Sequence, residues 1–522
     1  MNSALQSSIS RNPASTGSHR GRSRRPTSQP FVPESLERRA LLSGYAIQGV
    51  AMLGQSLPNR PDGVFTSDFE PGGINNRGQI VFTGEQGKPD QANDQGEGIF
   101  LTGSNGSPIQ TLALPGQSVP GGTLSGFGSL SPDGINDRGD AAFGYTLNGD
   151  VFPIIDAGVF RYSHQTGKLT EIETPGVTAL RDGTKLVGAA FQPSINNSGD
   201  IAFIGIIPTT KGADPSTGMG EGLFVSHANG TISTLIVPGD PAPGGSTFDS
   251  AELTSINDEG DVAFGAHVAA DPQLGADFSG LGPYQSVYVR WANGAVQSIA
   301  HQGAAIPASA GGGWFDVAYN PTVNDFGQIA FTAAISKTKP TGDPSTDDPT
   351  TDGDGVFLWS HRKLIDVARP GDAVPGGAHI VSTSFLSGQS HLNNLGQVVF
   401  NATLDDGTQG VFVWSNGQTR LVAKTGTSVP GVGTISGLDL FGYGFASTWA
   451  TNNDRGQVTF AAALQGGGEA LLLANPQVTT AECNSHLPDY ANAGSATAIN
   501  DDGIATDNDD RLKNRRLEIN RL

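Results

Sequence analysis

Cysteine is almost absent from this chain. Cys483 is the one copy in 522 residues, so no intrachain disulfide can form. A core that a chain of this length can build does not need one. No run of about 18 apolar residues occurs, which excludes a membrane-spanning helix. Also missing are Gly-x-Ser-x-Gly, the phosphate-cradling Gly-x-x-x-x-Gly-Lys-Ser/Thr and His-Glu-x-x-His, so no local motif announces a nucleophile, a nucleotide or a zinc site. Long helices are excluded by the 73 Gly and 32 Pro, about a fifth of the chain, which suit short strands joined by turns. Basic residues are scarce after the first 43, which hold seven Arg against Glu34 and Glu37, while the whole chain carries a net charge of -20. The acidic remainder argues against nucleic-acid binding, because phosphate contacts need Lys and Arg. It leaves open a cation, a basic partner or plain solubility.

What is present is one phrase repeated seven times: Asn-x-x-Gly-Gln/Asp, then apolar residues, then Phe. Its Phe residues are Phe82, Phe143, Phe203, Phe264, Phe331, Phe400 and Phe460. The Gly four residues earlier is Gly78, Gly139, Gly199, Gly260, Gly327, Gly396 and Gly456. A spacing of roughly 60 to 70 residues marks an array of repeated units. In phase with the phrase run a strand such as Gly222-Leu223-Phe224 and a connector such as Gly239/Pro243. Strand and turn rules then assign four strands to each unit. In the fourth unit they fall at about 247–256, 261–268, 286–291 and 295–300. Asn or Asp bonds to nearby backbone in the turns and Gly supplies positive φ, so the phrase has a structural explanation. The seven Phe are expected to fill the space between neighbouring sheets.

Seven four-stranded units predict an all-β, seven-bladed β-propeller. The last unit lacks a fourth strand, while Tyr45–Leu53 reads as a fourth strand with no unit before it. That N-terminal strand is expected to complete the last blade and remove an open edge. A partial eighth phrase, Ile499-Asn500-Asp501-Asp502-Gly503, lacks the Phe and leaves eight blades as the alternative. The expected organisation is a disordered basic segment (1–43), the propeller (44–476) and a poorly ordered tail (477–522).

In such blades the loop between strands two and three shares a face with the blade connectors, and the Asn-x-x-Gly turns occupy the other. The loops differ in length and are acidic, and variable loops on a rigid scaffold are where binding usually sits. The residues expected on that ligand face are Asp343, Asp347, Asp348, Glu97 and Glu221. Asp352 and Asp354, within Asp352-Gly353-Asp354-Gly355, resemble part of a calcium loop without its full ligand spacing or distal Glu. Ca²⁺ at these two is the one cofactor expectation. No residue is nominated as catalytic.

Asn257-Asp258-Glu259-Gly260-Asp261-Val262-Ala263-Phe264, with Asn196–Phe203 and Asn324–Phe331, resembles the Asn-x-x-Gly-x-x-Ala-Phe hallmark of the bacterial "choice-of-anchor" tandem-repeat family. Val81, Val399 and Thr459 stand where that hallmark has Ala. Leu36-Glu37-Arg38-Arg39-Ala40-Leu41-Leu42 resembles the Leu-Glu-Pro-Arg-x-Leu-Leu segment of certain exported bacterial proteins, with Arg38 at the Pro position. The resemblance implies a secreted or cell-surface protein and no catalytic residue. The function expected is therefore a non-catalytic, monomeric binding or scaffold module for an extracellular glycan, protein or cation. The alternative is a propeller lyase or glycosidase acting on extracellular polymers.

Overall fold

A computed structural model describes residues 44–477 except 59, 68, 89–95, 150–156, 190–191, 209–217, 269–285, 340–352, 384–389 and 439–449. The segments 1–43 and 478–522, and with them the expected disorder at both ends, lie outside the described residues. So does the partial eighth phrase. Among the described residues there is no α-helix, and the strands form seven antiparallel sheets. Blades are numbered 1 to 7 in the order of the phrase Phe.

Blade 4 shows the plan in its plainest form. Its strands are Phe248–Ile256, Val262–Val268, Ser286–Arg290 and Val296–Ala300, hydrogen-bonded in that order. The first is innermost and the fourth outermost. In blades 1, 3, 6 and 7 the innermost strand is interrupted and pairs with the second in two pieces. Blade 7 takes its fourth strand from the other end of the chain: Tyr45–Met52 pairs antiparallel with Glu469–Pro476, from Tyr45 opposite Pro476 to Met52 opposite Ala470. The expected closure by the N-terminal strand therefore holds, and the count is seven.

The phrase explains the packing. Its Phe is at most 1% exposed in every blade. In blades 1 to 6 that ring stacks on the aromatic directly opposite on the third strand, as in Phe82–Phe100 at 5.4 Å and Phe331–Phe357 at 5.6 Å. In blade 7 the residue opposite Phe460 is Leu472. Each core cluster is shared by neighbouring blades: Phe203 and Phe224 of blade 3 bury Ala142 and Val159 of blade 2, and Phe82 of blade 1 buries Leu471 and Leu473 of blade 7. The core is thus a circle of interfaces between sheets.

Candidate functional site at the channel mouth

The Asn-x-x-Gly turns join first and second strands and surround the centre of the ring. Each of their four positions has a separate duty. The first is Asn in all seven blades, and it is buried. In blade 4, Asn257 Oδ1 accepts the backbone N–H of Asp261 at 2.8 Å, which closes the turn. Its Nδ2 donates to the backbone carbonyl of Asn324 in blade 5 at 2.9 Å. The same donation runs Asn75 to Asn136, Asn136 to Asn196, Asn196 to Asn257, Asn324 to Asn393, Asn393 to Asn453 and Asn453 back to Asn75. A carboxylate can only accept, so Asp cannot serve here.

The second position needs only an acceptor, and both Asn and Asp occur there. The backbone N–H of Asn76 donates to Asp137 Oδ1 at 2.7 Å, and equivalent bonds pass through Asn197, Asp258, Asp325, Asn394 and Asp454 back to Asn76 Oδ1. Two closed rings of hydrogen bonds thus encircle the mouth. The amides also separate the charges: Asn76 Nδ2 donates to Asp137 Oδ2 at 3.0 Å and to Asp454 Oδ2 at 2.8 Å. Asp258 and Asp325 are the one pair of neighbouring acids on this ring. Burial raises the Asp325 carboxyl above its usual range, the bond from the Asp258 N–H opposes this, and the Asp258 charge adds to it. The fourth position, Gly, has φ between 66° and 86° in all seven turns, a region that disfavours any Cβ.

The third position does no turn work, and it is exposed in every blade. Here the units differ: Arg77, Arg138, Ser198, Glu259, Phe326, Leu395 and Arg455. Arg455, Arg77 and Arg138 come from blades 7, 1 and 2, so they form one basic arc. Phe326 and Leu395 come from blades 5 and 6 and are 74% and 59% exposed, an apolar pair on another part of the same rim. These residues escape a reading of the sequence that attends to what the phrase conserves. The signal that finds them is the side chain that varies inside a turn of constant length.

Behind the rim lies a central cavity of about 630 Å³, part of it open to solvent, lined by the first and second phrase positions and by the ends of the innermost strands. There the repeat breaks. The residue two before the phrase Asn is Gly, Ser or Thr in six blades and His391 in blade 6. His391 Nε2 meets Asp133 Oδ1 of blade 2 at 2.9 Å, and its Nδ1 lies 2.8 Å from Asn452 Oδ1 of blade 7. Ser255 of blade 4 donates to Asp133 Oδ2 at 2.6 Å and accepts the Val323 N–H of blade 5 at 2.9 Å. Burial lowers the His391 pKa, but the bond to and charge of Asp133 outweigh it, so the net shift is upward. A Ser, a His and an Asp converge, yet not as a nucleophilic triad: the hydroxyl points at the carboxylate, and both imidazole nitrogens are engaged.

The sequence-nominated residues lie elsewhere. Glu97 is buried between blades 1 and 2, where Oε2 accepts the Gly128 N–H at 3.2 Å and the backbone carbonyl accepts the Tyr145 hydroxyl. Gln409 and Glu469 at equivalent positions accept the N–H groups of Leu438 and Phe69 in the next blade. Glu221 faces the Glu252–His267 pair of blade 4, and burial with the Glu252 charge pushes its carboxyl up to about 7. Asp354 is 3% exposed; burial pushes it up to about 7, partly offset by a bond from the Tyr319 hydroxyl. Asp343, Asp347, Asp348 and Asp352 lie outside the described residues. Among the described residues no three His, Cys, Asp or Glu are grouped as metal ligands, and no helix is long and apolar enough to cross a membrane.

Residues 104–509 match the model of a family of unknown function, DUF7453. The chain belongs to that family. The DUF7453 match starts within blade 1 and continues past the last strand. No curated protein sequence matches the chain. Among solved structures it is similar to the β-propeller domain of the trilobed protease from Pyrococcus furiosus, at 8% identity and a TM-score of 0.43 over 79% of this chain and 99% of that one. It is also similar to an ulvan lyase, at 10% identity and a TM-score of 0.38 over 81% and 99%. A third is the α-L-arabinofuranosidase of Fusarium graminearum, at 8% identity and a TM-score of 0.35 over 83% and 98%.

Proposed function

We propose that this DUF7453 chain is a non-catalytic, exported propeller that binds an acidic protein surface through its channel mouth. The observation that carries this reading is the third turn position. Seven turns of equal geometry present unequal side chains, and the inequality is organised as three adjacent arginines and an exposed Phe–Leu pair. Arginine and aromatic residues supply most of the binding energy in protein interfaces, and an arc of cations steers an acidic partner. Export rests on the resemblance of Leu36–Leu42 to the segment named above.

The competing reading, an enzyme acting on extracellular polymers, draws on the Asp133–His391–Ser255 convergence at the cavity. Its groups spend their hydrogen bonds on one another, which fits a strut better than a general base. A glycan and protein binding screen, with and without Ca²⁺, run beside R77E/R138E/R455E and F326A/L395A, separates the two. A protein ligand lost in both rim variants is the expected result. Binding that survives both variants, or polysaccharide turnover that disappears in H391A, would sink the binding-module reading.

A further inference from the structure

The basic arc has a candidate occupant within the chain itself. The last strand of blade 7, Glu469–Pro476, runs toward the turn face and ends beside the arc. Asn475 Oδ1 accepts Gln457 Nε2 at 2.7 Å, and the Pro476 ring lies 3.6 Å from the place a Cβ on Gly456 would take. Gly456 directly follows Arg455. The chain therefore leaves the propeller next to the first of the three arginines. Downstream, residues 501–510 contain Asp501, Asp502, Asp507, Asp509 and Asp510 with no cation among them, and Ile504 as an apolar residue. Basic residues resume at Arg511. The DUF7453 match runs to residue 509 and so takes in almost all of this acidic stretch.

We propose that the acidic segment 501–510 docks on the Arg455–Arg77–Arg138 arc and occupies the rim in the absence of a partner. Charge complementarity selects the arc in a chain whose net charge is -20. Arg138 contacts Asp140 at 3.3 Å but keeps 46% of its side chain exposed, and Arg77 and Arg455 have no ion-pair partner among the described residues. The roughly two dozen residues between the last strand and the segment reach at most about 80 Å when extended. Exposed ion pairs are individually weak and screened by salt. Tethering supplies an effective concentration on the order of millimolar, which such contacts need.

This inference rests on reading the rim as a binding face, but its test reports the intramolecular contact alone. A nitroxide is placed on T506C in full-length C483S, which leaves a single thiol. At about 20 mM salt a slow-motion component is expected in the EPR spectrum, lost near 0.5 M salt. It should also be lost in R77E/R138E/R455E and return when D501K/D507K/D510K is added to that variant. Unchanged thermal melting of the rim variant shows that loss of the slow component is not unfolding. A fast spectrum in the parent at low salt overturns the proposal, as does a slow one indifferent to the arginine charges. If docking fails while the binding screen still finds a rim-dependent ligand, only the intramolecular contact falls.

Discussion

The division of labour within a four-residue turn gives the sharpest expectations at the residue scale. Asn257 donates to a neighbouring blade and Asp258 only accepts, so exchanging amide for acid should have unequal consequences one residue apart. Asn257→Asp removes the Nδ2 donor and sets a carboxylate against the Asn324 carbonyl. It should destabilise by about 1–3 kcal/mol, the range for a buried polar group left unsatisfied. Asp258→Asn keeps the acceptor for the Asn197 N–H and relieves the repulsion on Asp325, but it gives up the exposed bond that Asn197 Nδ2 donates to Asp258 Oδ2 at 2.9 Å. The two effects oppose each other, so the exchange should be close to neutral. Urea denaturation of the two variants checks both, and equal losses would refute the distinction. The sequence shows Asn fixed and Asn/Asp alternating; the reason was illegible, because each acceptor lies a whole unit away.

At the scale of elements, strands and their order could be read from the chain because strand period and turn chemistry are local. Predicted bounds in blade 4 fall within a residue of those observed, and Tyr45–Met52 takes its foreseen place. The strut across the cavity was not readable. His391 and Asp133 are 258 positions apart, and nothing near either names the other. Likewise Glu97 and Glu221 read as loop acids, whereas the structure places both in third strands at seams between blades, Glu97 buried and Glu221 half-buried. The strut makes a measurable claim. His391→Ala strips Asp133 of its ring partner and should lower stability by about 1–3 kcal/mol. Adding Asp133→Ala should then cost less than it does in the parent, with a coupling of about 0.5–3 kcal/mol in a double-mutant cycle. Strict additivity would show that the two blades do not rely on this bond.

For the whole molecule, the buried perturbed groups share one direction, while the exposed Asp182, Asp405 and Asp406 are lowered by local hydrogen bonds. Burial, helped by the Glu171 charge, pushes Glu173 up to about 8; Glu221 and Asp354 are held near 7; and burial pushes Asp366 up to about 6 against the pull of Arg369. A carboxyl that holds its proton more tightly when folded adds stability that is lost as pH rises from the unfolded value, about 4, through the folded one. His391 and His267 are also raised, their carboxylate partners outweighing burial, and they too lose stability as pH climbs through their folded values. The denaturation midpoint should therefore fall steadily between about pH 5 and pH 9. A maximum at neutral or alkaline pH would contradict the assignment. One further property follows from the closure. The Gln477 N–H donates to the carbonyl of Gly44, so the two ends of the propeller touch. The bond rings meanwhile run through blades 7 and 1 as through any other pair. The fold has no privileged starting point: a peptide link between residues 477 and 44, with the chain reopened at the exposed Asn293-Gly294 turn, leaves every blade interface in place, and the architecture belongs to the cycle and not to the order in which a ribosome writes it.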